Sequence, residues 1–195
     1  YRPLSDEQLS ALFDINGLKE NVRTLSAILV ATGMRTDEAA LLHQEQVRLE
    51  STPYFDLRVA EVKNDSSKRQ VPIPEILLPT VKRLKEVPRG VEGRLLDFAV
   101  KGDGKSRASE ICSYWRAKVD LYGMAPPGRG KFTNHSMRGS LRDKLRDASV
   151  PLEVSNDLMG HDKGKVSGAY GYGTSLRVMK EAVDKIDHPY LKFLT

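Results

Sequence analysis

Two short segments of this 195-residue chain place an arginine near a side chain that can act with it. Residues 32–42, TGMRTDEAALL, carry Arg35 at the start of a predicted helix and Glu38 one turn later, where a carboxylate can hold the guanidinium. His135 and Arg138 stand three positions apart, so a helix places both on one face. A guanidinium binds anionic oxygens and an imidazole exchanges protons near neutral pH. The second pair is also common on ordinary helix surfaces, and that interpretation stays open here.

Two further segments carry single reactive side chains. Residues 62–74, VKNDSSKRQVPIP, place Lys63 at the tip of a predicted hairpin. Residues 158–173, LMGHDKGKVSGAYGYG, contain His161 directly after a glycine and Tyr170 nine positions beyond it. Amine, imidazole and phenol groups can transfer protons or attack an electrophile, so both segments are candidates for a reactive site.

Phosphate-loop and metal chemistry are not supported by the spacing. Residues 102–106, GDGKS, match the end of a phosphate-binding loop, but Ala99 occupies the position of its first glycine. We expect a polar loop in which Ser106 caps the next helix. Cysteine and histidine are common zinc ligands, and the candidate ligands are Cys112, His43, His135 and His161. They lack the close spacing of metal ligands, so we expect no metal and no cofactor.

The hydrophobic pattern predicts a mostly α-helical α+β domain with a small antiparallel sheet of two or three strands. Ser5 is a predicted N-cap, and Gly33 is the predicted left-handed residue at a helix end. Pro72 and Pro74 keep one strand short and at an edge. The predicted helices span 5–14, 21–32, 35–43, 75–86, 107–121, 135–148, 151–159 and 174–187, and the predicted strands span 54–62 and 69–73.

Composition fits one folded domain, with 39% hydrophobic and 29% charged residues and a net charge of +5. Residues 101–146 hold eleven lysines or arginines and four acidic residues, a net charge of +7, so the remainder sums to −2. Such clustering is typical of a polyanion-binding surface and also of an ordinary solvated helix surface. No apolar run approaches the roughly 20 residues of a membrane span, and no signal peptide opens the chain, so we expect a cytoplasmic protein without membrane contact.

In order and spacing, these residues resemble the catalytic domain of the tyrosine recombinase family, the phage integrases and their bacterial relatives. The family's T-G-x-R-x-x-E segment is matched by Arg35 and Glu38, and its H-x-x-R box by His135 and Arg138. Its L-G-H box is matched, with one inserted residue, by residues 158–161. The resemblance covers nearly the whole chain.

The same resemblance identifies a lysine and a nucleophile. The family lysine lies between two strands, nine residues before the proline of a V-P segment, which selects Lys63. The family nucleophile follows the last histidine by nine residues, which selects Tyr170. Tyr172 stays open as a competing nucleophile, and Lys68 or Arg69 as a replacement for the lysine.

The resemblance implies that the tyrosine hydroxyl attacks a DNA phosphodiester, forming a 3′-phosphotyrosyl link and releasing a 5′-hydroxyl. Two arginines bind the non-bridging oxygens, the lysine protonates the leaving oxygen, one histidine takes the phenol proton and the other binds a phosphate oxygen. No metal or ATP is implied, because the phosphotyrosyl link retains the bond energy. The implied catalytic residues are Arg35, Lys63, His135, Arg138, His161 and Tyr170, with Glu38 supporting the first arginine.

The family resemblance also implies partners. They are double-stranded DNA attachment sites, other copies of the chain in a tetrameric synapse and accessory DNA-bending proteins, at the nucleoid of a bacterial host. Arg129, Lys131 and Arg142 are the candidate contacts to the DNA backbone. We expect residues 1–195 to be one catalytic domain, excised from a longer protein, so that the family's N-terminal core-binding or arm-binding domain is absent from this chain.

Other functions stay open. A non-catalytic DNA-binding regulator would keep the fold, and a type IB topoisomerase or telomere resolvase would use related chemistry. The apolar C-terminal stretch, residues 187–195, is expected to dock either on its own domain or on a neighbouring protomer.

Overall fold

The computed structural model describes residues 1–59, 68–161 and 173–194. It confirms a mostly helical fold with one small antiparallel sheet. The α-helices of the described residues are α1 (Asp6–Phe13), α2 (Glu20–Thr32), α3 (Thr36–Ala40), α4 (Leu78–Glu86), α5 (Ala108–Arg116), α6 (Asn134–Asp147), α7 (Leu152–Met159) and α8 (Leu176–Asp184). The strands are β1 (Val47–Arg48), β2 (Tyr54–Asp56) and β3 (Gln70–Pro72). None of the described helices has the length and hydropathy that crossing a membrane requires.

The sheet has the order β1-β2-β3, and both pairs are antiparallel. Phe55 in the middle strand pairs with Val47 on one side and Val71 on the other, and all three side chains are fully buried. β3 is an edge strand of this sheet, as the two prolines predict. The sheet therefore adds one apolar row to the core and presents β3 to the helices that follow.

The strand predicted over residues 54–62 is too long, because β2 ends at Asp56. Its carboxylate accepts hydrogen bonds from the Arg58 backbone N–H (3.1 Å), Nε (2.8 Å) and Nη2 (2.7 Å). These local hydrogen bonds between Asp56 and Arg58 turn the chain away from the extended conformation and into a 3-10 helix over Leu57–Val59. Residues 60–62 lie outside the described residues.

Several predicted helices are also shorter in the structure. α3 ends at Ala40, because Leu41 leaves helical geometry (φ −103°, ψ 10°) and a 3-10 helix begins after His43. α5 ends at Arg116, and the ammonium of Lys118 folds back over the Trp115 ring at 4.5 Å. The helix predicted over 75–86 begins as a 3-10 turn at Glu75–Leu77, and that over 174–187 is reduced to α8.

The buried apolar side chains of the described residues form two clusters. The larger surrounds α2, whose predicted inward residues Leu25, Ile28 and Leu29 are buried. The smaller joins α6, α7 and α8 through residues such as Leu141 and Leu158. α2 packs against α6, so the C-terminal end of α2 lies where the two clusters approach each other.

The C-terminal segment, a 3-10 helix over Pro189–Leu194, packs against α1 of the same chain. The Phe13 ring stacks parallel to the Tyr190 ring at 5.9 Å and lies tilted 5.2 Å from the Phe193 ring. Lys144 of α6 supports this contact by binding the Asp6 carboxylate at 2.8 Å. In this structure the segment therefore docks on its own domain.

We expect His188, just before this segment, to make stability pH-dependent. Its side chain is 3% exposed, and its Nδ1 shares a hydrogen bond with the Tyr190 hydroxyl (2.8 Å). Burial, and then the charge of Lys144, lower the pKa of His188 to about 4. Between pH 6.5 and 4 the unfolded chain binds a proton that the folded chain does not, so stability falls as the pH falls. We expect this residue to lower the free energy of unfolding by about 3 kcal/mol between pH 7 and 4.

Urea unfolding at pH 7, 5.5 and 4 tests this expectation in the unchanged chain and in His188→Gln. The glutamine amide keeps a hydrogen-bonding partner for the Tyr190 hydroxyl but does not titrate. The variant should therefore show a weaker dependence of stability on pH. The same dependence in both proteins would contradict the assignment to His188.

Candidate active site

The candidate site begins where α2 ends. Gly33 has a left-handed conformation (φ 66°), and its N–H closes the last turn of α2 at 3.0 Å. A Cβ at this position would lie 3.1 Å from the Leu141 side chain and 3.4 Å from that of Met159, so packing and backbone both favour glycine. The turn places Arg35 at the extended N-cap position of α3, where its side chain reaches Glu38.

Glu38 is a buried carboxylate that binds two arginines. Arg35 donates to it from the backbone N–H (2.8 Å) and from Nη1 (2.6 Å). Arg69 donates from Nη1 (3.2 Å) and Nη2 (3.0 Å). Burial by itself raises the pKa of Glu38, but the hydrogen bonds and charge of Arg69, together with the hydrogen bonds of Arg35, outweigh it and hold the pKa below its ordinary value. Glu38 therefore stays ionised and fixes both guanidinium groups.

The C-terminal end of α7 binds three arginines with three consecutive carbonyl groups, which we call the carbonyl row (residues 158–160). These carbonyls accept, in chain order, from Arg69 Nε (3.0 Å), Arg138 Nη2 and Arg35 Nη2 (3.1 Å). The last carbonyls of a helix lack intrahelical donors and form the negative end of its dipole, so they favour cationic donors. The carbonyl row therefore gathers three positive charges at one point.

Arg138 lies on α6, and only 2% of its surface is exposed. Its Nη1 donates to the Gly33 carbonyl and its Nη2 to the carbonyl row, so it ties the end of α2 to the end of α7. Burial, and then the charges of Arg35 and Arg69, lower the pKa of Arg138 to about 10. Its Nε is buried and has no hydrogen-bond partner among the residues that the structure describes. A ligand oxygen would satisfy this N–H.

His135 lies in the first turn of α6, which begins at a Thr133 cap that accepts from the His135 N–H (3.1 Å). The residue is exposed, and its ring lies 4.8 Å from the Tyr1 ring. Partial burial, and then the charge of Arg138, lower the pKa of His135 below its ordinary value. The imidazole is therefore neutral at pH 7 and can accept a proton.

His161 directly follows the carbonyl row. Its N–H donates to the Asn156 carbonyl (3.0 Å) across the left-handed Gly160 that ends α7. Burial, and then the charges of Arg138 and Arg142, lower the pKa of His161 to about 4. This second imidazole is also neutral at pH 7 and lies within the field of the same arginines.

Not every predicted catalytic residue is described. Lys63 and Tyr170 lie outside the described residues, as does the competing Tyr172. Of the other four predicted catalytic residues, Arg35, Arg138 and His161 meet at the carbonyl row. His135 lies one turn before Arg138 on α6, and the charges of Arg138 and Arg35 act on its imidazole. Arg69, an alternative to the lysine in the sequence, is bound to Glu38 and to the carbonyl row instead.

Lys68, the other alternative, is exposed at the start of the described segment that leads into β3. The contacts of Arg69 and of the carbonyl row do not emerge from sequence analysis, because backbone carbonyls leave no signal in residue type. The one signal for Arg69 is its place directly before β3, which carries it to the sheet edge next to α7.

The candidate DNA contacts divide into two sets. Arg142 lies on α6 one turn after Arg138, and its charge contributes to the low pKa of His161. Arg129 and Lys131 are exposed in the loop before α6, and the Lys131 carbonyl accepts a hydrogen bond from the backbone N–H of Arg2 at 3.1 Å.

Within residues 1–59, 68–161 and 173–194, no three His, Cys, Asp or Glu side chains are grouped so that they could hold a metal ion.

Comparison with protein families gives a match to the model described as "Phage integrase family" over residues 3–172, which is most of the chain. No curated protein sequence matches the chain significantly.

Solved structures share the fold. The integrase from mycobacterium phage Brujita has a TM-score of 0.66 and 16% identity, covering 100% of this chain and 63% of that one. The Tn1549 transposon integrase in complex with transposon right end DNA has a TM-score of 0.56 and 19% identity, covering 82% and 57%. The XerH site-specific recombinase bound to difH substrate has a TM-score of 0.52 and 19% identity, covering 91% and 51%. The chain thus spans less than two thirds of the length of each of these three proteins.

We expect Glu38→Gln to lower the free energy of unfolding by about 3 kcal/mol, because it leaves the buried Arg69 charge without its carboxylate. Urea unfolding at pH 7 measures the change. Glu181→Gln is the matched control, since Glu181 is 54% exposed and pairs with Arg177 on the surface of α8. The control should change stability by less than about 0.5 kcal/mol. Equal losses in the two variants would contradict the structural role given to Glu38.

Proposed function

The chain belongs to the phage integrase family, and we propose that it is a site-specific DNA recombinase that cuts and rejoins strands through a 3′-phosphotyrosyl intermediate. The observation that carries the proposal is the convergence of the Arg35 and Arg138 guanidinium groups at the carbonyl row next to His161, with the buried Arg138 Nε lacking a partner among the described residues. His135, one turn before Arg138 on α6, lies within the influence of the same charges. One structural relative is described as a complex with transposon right end DNA and another as a site-specific recombinase bound to its difH substrate, which supports DNA as the substrate.

The arginines are proposed to bind the non-bridging oxygens of the scissile phosphate. Negative charge grows on these oxygens as the phosphorus becomes pentavalent, so fixed donors stabilise the transition state more than the ground state. Arg138 would contribute its Nε–H, for which the described part of the chain provides no acceptor, and Arg35, whose side chain is 37% exposed, is accessible from solvent. His161, neutral at pH 7, would add a hydrogen bond from its ring N–H.

Proton transfer is proposed to involve His135, Lys63 and Tyr170. The Tyr170 oxygen forms a bond to phosphorus, the bond from phosphorus to the 5′-oxygen breaks, and the phenol proton passes to His135. Lys63 gives a proton to the departing 5′-oxygen, so a free 5′-hydroxyl results. The lowered pKa of His135 keeps the imidazole unprotonated and ready to accept at neutral pH.

Rejoining reverses these steps with a 5′-hydroxyl from another strand. The phosphotyrosyl link retains the free energy of the broken bond, so we propose that neither a metal ion nor ATP is required. Exchange between two duplexes needs four strand cuts, which accounts for the proposed tetramer on DNA, with accessory DNA-bending proteins to shape the sites. We place this reaction in the cytoplasm of a bacterial host, at the nucleoid, where the DNA lies.

Covalent trapping tests the reaction and its nucleophile. A pool of random-sequence duplexes, each with one nick, allows the cut fragment to diffuse away, so that the adduct accumulates. We expect a detergent-resistant adduct in EDTA without ATP, absent in Tyr170→Phe and retained in the matched control Tyr172→Phe. The chemical reason is that phenylalanine lacks the hydroxyl oxygen that forms the phosphotyrosyl bond, and the family spacing selects Tyr170 as the residue that provides it.

Each other result has a defined meaning. If the unchanged chain forms no adduct, the enzyme proposal fails and a DNA-binding regulator is favoured. An adduct that maps to Tyr172 overturns the nucleophile. Relaxation of supercoiled plasmid regardless of sequence favours a type IB topoisomerase.

DNA-backbone binding is tested by its salt dependence. Arg129 and Lys131 are exposed, and each would release about one counterion from DNA. We expect the double variant Arg129→Gln, Lys131→Gln to make the slope of log K against log salt shallower by about 2. The matched control is Lys82→Gln, Arg83→Gln on the exposed face of α4. A slope that changes equally in both, or in neither, contradicts DNA contact by this loop.

A further inference from the structure

Arg69 is fixed from two sides. Its backbone carbonyl accepts from the Leu57 N–H at 2.9 Å, which extends the pairing of β2 and β3 by one step. Its side chain crosses to Glu38 on α3 and to the Leu158 carbonyl at the end of α7. Arg69 therefore links the sheet edge, α3 and α7 through one side chain.

All three guanidinium nitrogens of Arg69 are engaged in these contacts. Nε donates to Leu158, and Nη1 and Nη2 donate to the two Glu38 oxygens at 3.2 and 3.0 Å. Its side chain is 9% exposed, compared with 37% for Arg35. A buried guanidinium with this set of bonds is placed to hold a neighbour and not to meet a substrate.

We propose that Arg69 is a positioning residue, which holds Glu38 in place and through Glu38 orients the Arg35 guanidinium towards the phosphate. This proposal rests on the proposed function, because it assigns the consequence of that orientation to DNA cleavage. The planar fork of arginine serves here because it binds both carboxylate oxygens and the carbonyl row at once. The compact ammonium of lysine could keep the charge but cannot reproduce all three bonds.

Loss of Arg69 would act on Glu38 first. Two of the carboxylate's donors would disappear, while its burial would persist. Glu38 would then rotate or bind a proton, and the Arg35 side chain would lose its fixed direction. A displacement of about 1 Å at a reacting group is enough to cost about 100-fold in rate.

The first arm of the test measures strand cleavage in single turnover at saturating nicked DNA. We expect Arg69→Gln to cleave about 10- to 100-fold more slowly, with a DNA dissociation constant within about twofold of the unchanged chain. Arg69→Lys should recover part of the rate. Arg83→Gln, an exposed arginine of α4, is the matched control and should cleave at the original rate. The cleavage rates are compared under conditions in which unfolding curves show the same folded fraction for each variant. A difference in rate then does not come from a difference in the free energy of unfolding.

The second arm measures coupling. If Arg69 acts through Glu38, the double variant Arg69→Gln, Glu38→Gln should cleave no more slowly than Glu38→Gln alone. Rate losses that multiply would overturn the proposal. So would a cleavage rate of Arg69→Gln that equals that of the Arg83→Gln control.

The third arm needs no DNA. Carbon NMR of the Glu38 carboxylate follows its titration in the unchanged chain and in Arg69→Gln. A raised pKa of Glu38 in the variant supports the positioning role, and an unchanged pKa overturns it. If the unchanged chain cleaves no DNA, the proposed function fails, and this arm alone decides whether Arg69 positions Glu38.

Discussion

At the C-terminal end of α7, the carbonyl row receives side chains from three elements that are distant in the sequence. Arg35 comes from the start of α3, Arg69 from the edge of the sheet, and Arg138 from α6. Each bond satisfies a carbonyl that the helix itself leaves without a donor. Because the three arginines bind three consecutive carbonyl groups, the helix end fixes the elements that carry them relative to one another. His161 follows at once, so its position depends on the same contacts.

Gathering cations in this way has an electrostatic cost, which Glu38 and the α7 dipole offset only in part. Arginine holds its proton even when buried, and burial, together with the charges of these arginines, lowers the pKa values of both site histidines. The folded protein thus holds an excess of positive charge in fixed positions. An anionic ligand would relieve this excess, and the cost of assembling the charges is met during folding and not during binding.

The sequence predicted those helix ends and strand positions that residues close by in the chain determine. Ser5 caps α1, Gly33 ends α2 in a left-handed conformation, and Pro72 lies in an edge strand. The pattern over residues 54–62 failed because a local ion pair, Asp56 with Arg58, outweighs the extended preference of its neighbours.

The contacts that surround the site residues were harder to predict from the sequence. The partners of Arg69 lie 31 and 89 residues away, and one of them is a backbone carbonyl. No local pattern predicts such a contact, whereas the family motifs do predict which side chains the site uses. The assignments of Lys63 and Tyr170 still rest on those motifs.

The packing of Phe13 on Tyr190 joins α1 to the last described turn of the chain. During synthesis on a ribosome, α1 leaves the exit tunnel long before its aromatic partner exists. The Phe13 ring therefore lacks this partner on the nascent chain until residues 189–194 have been synthesised and have left the ribosome.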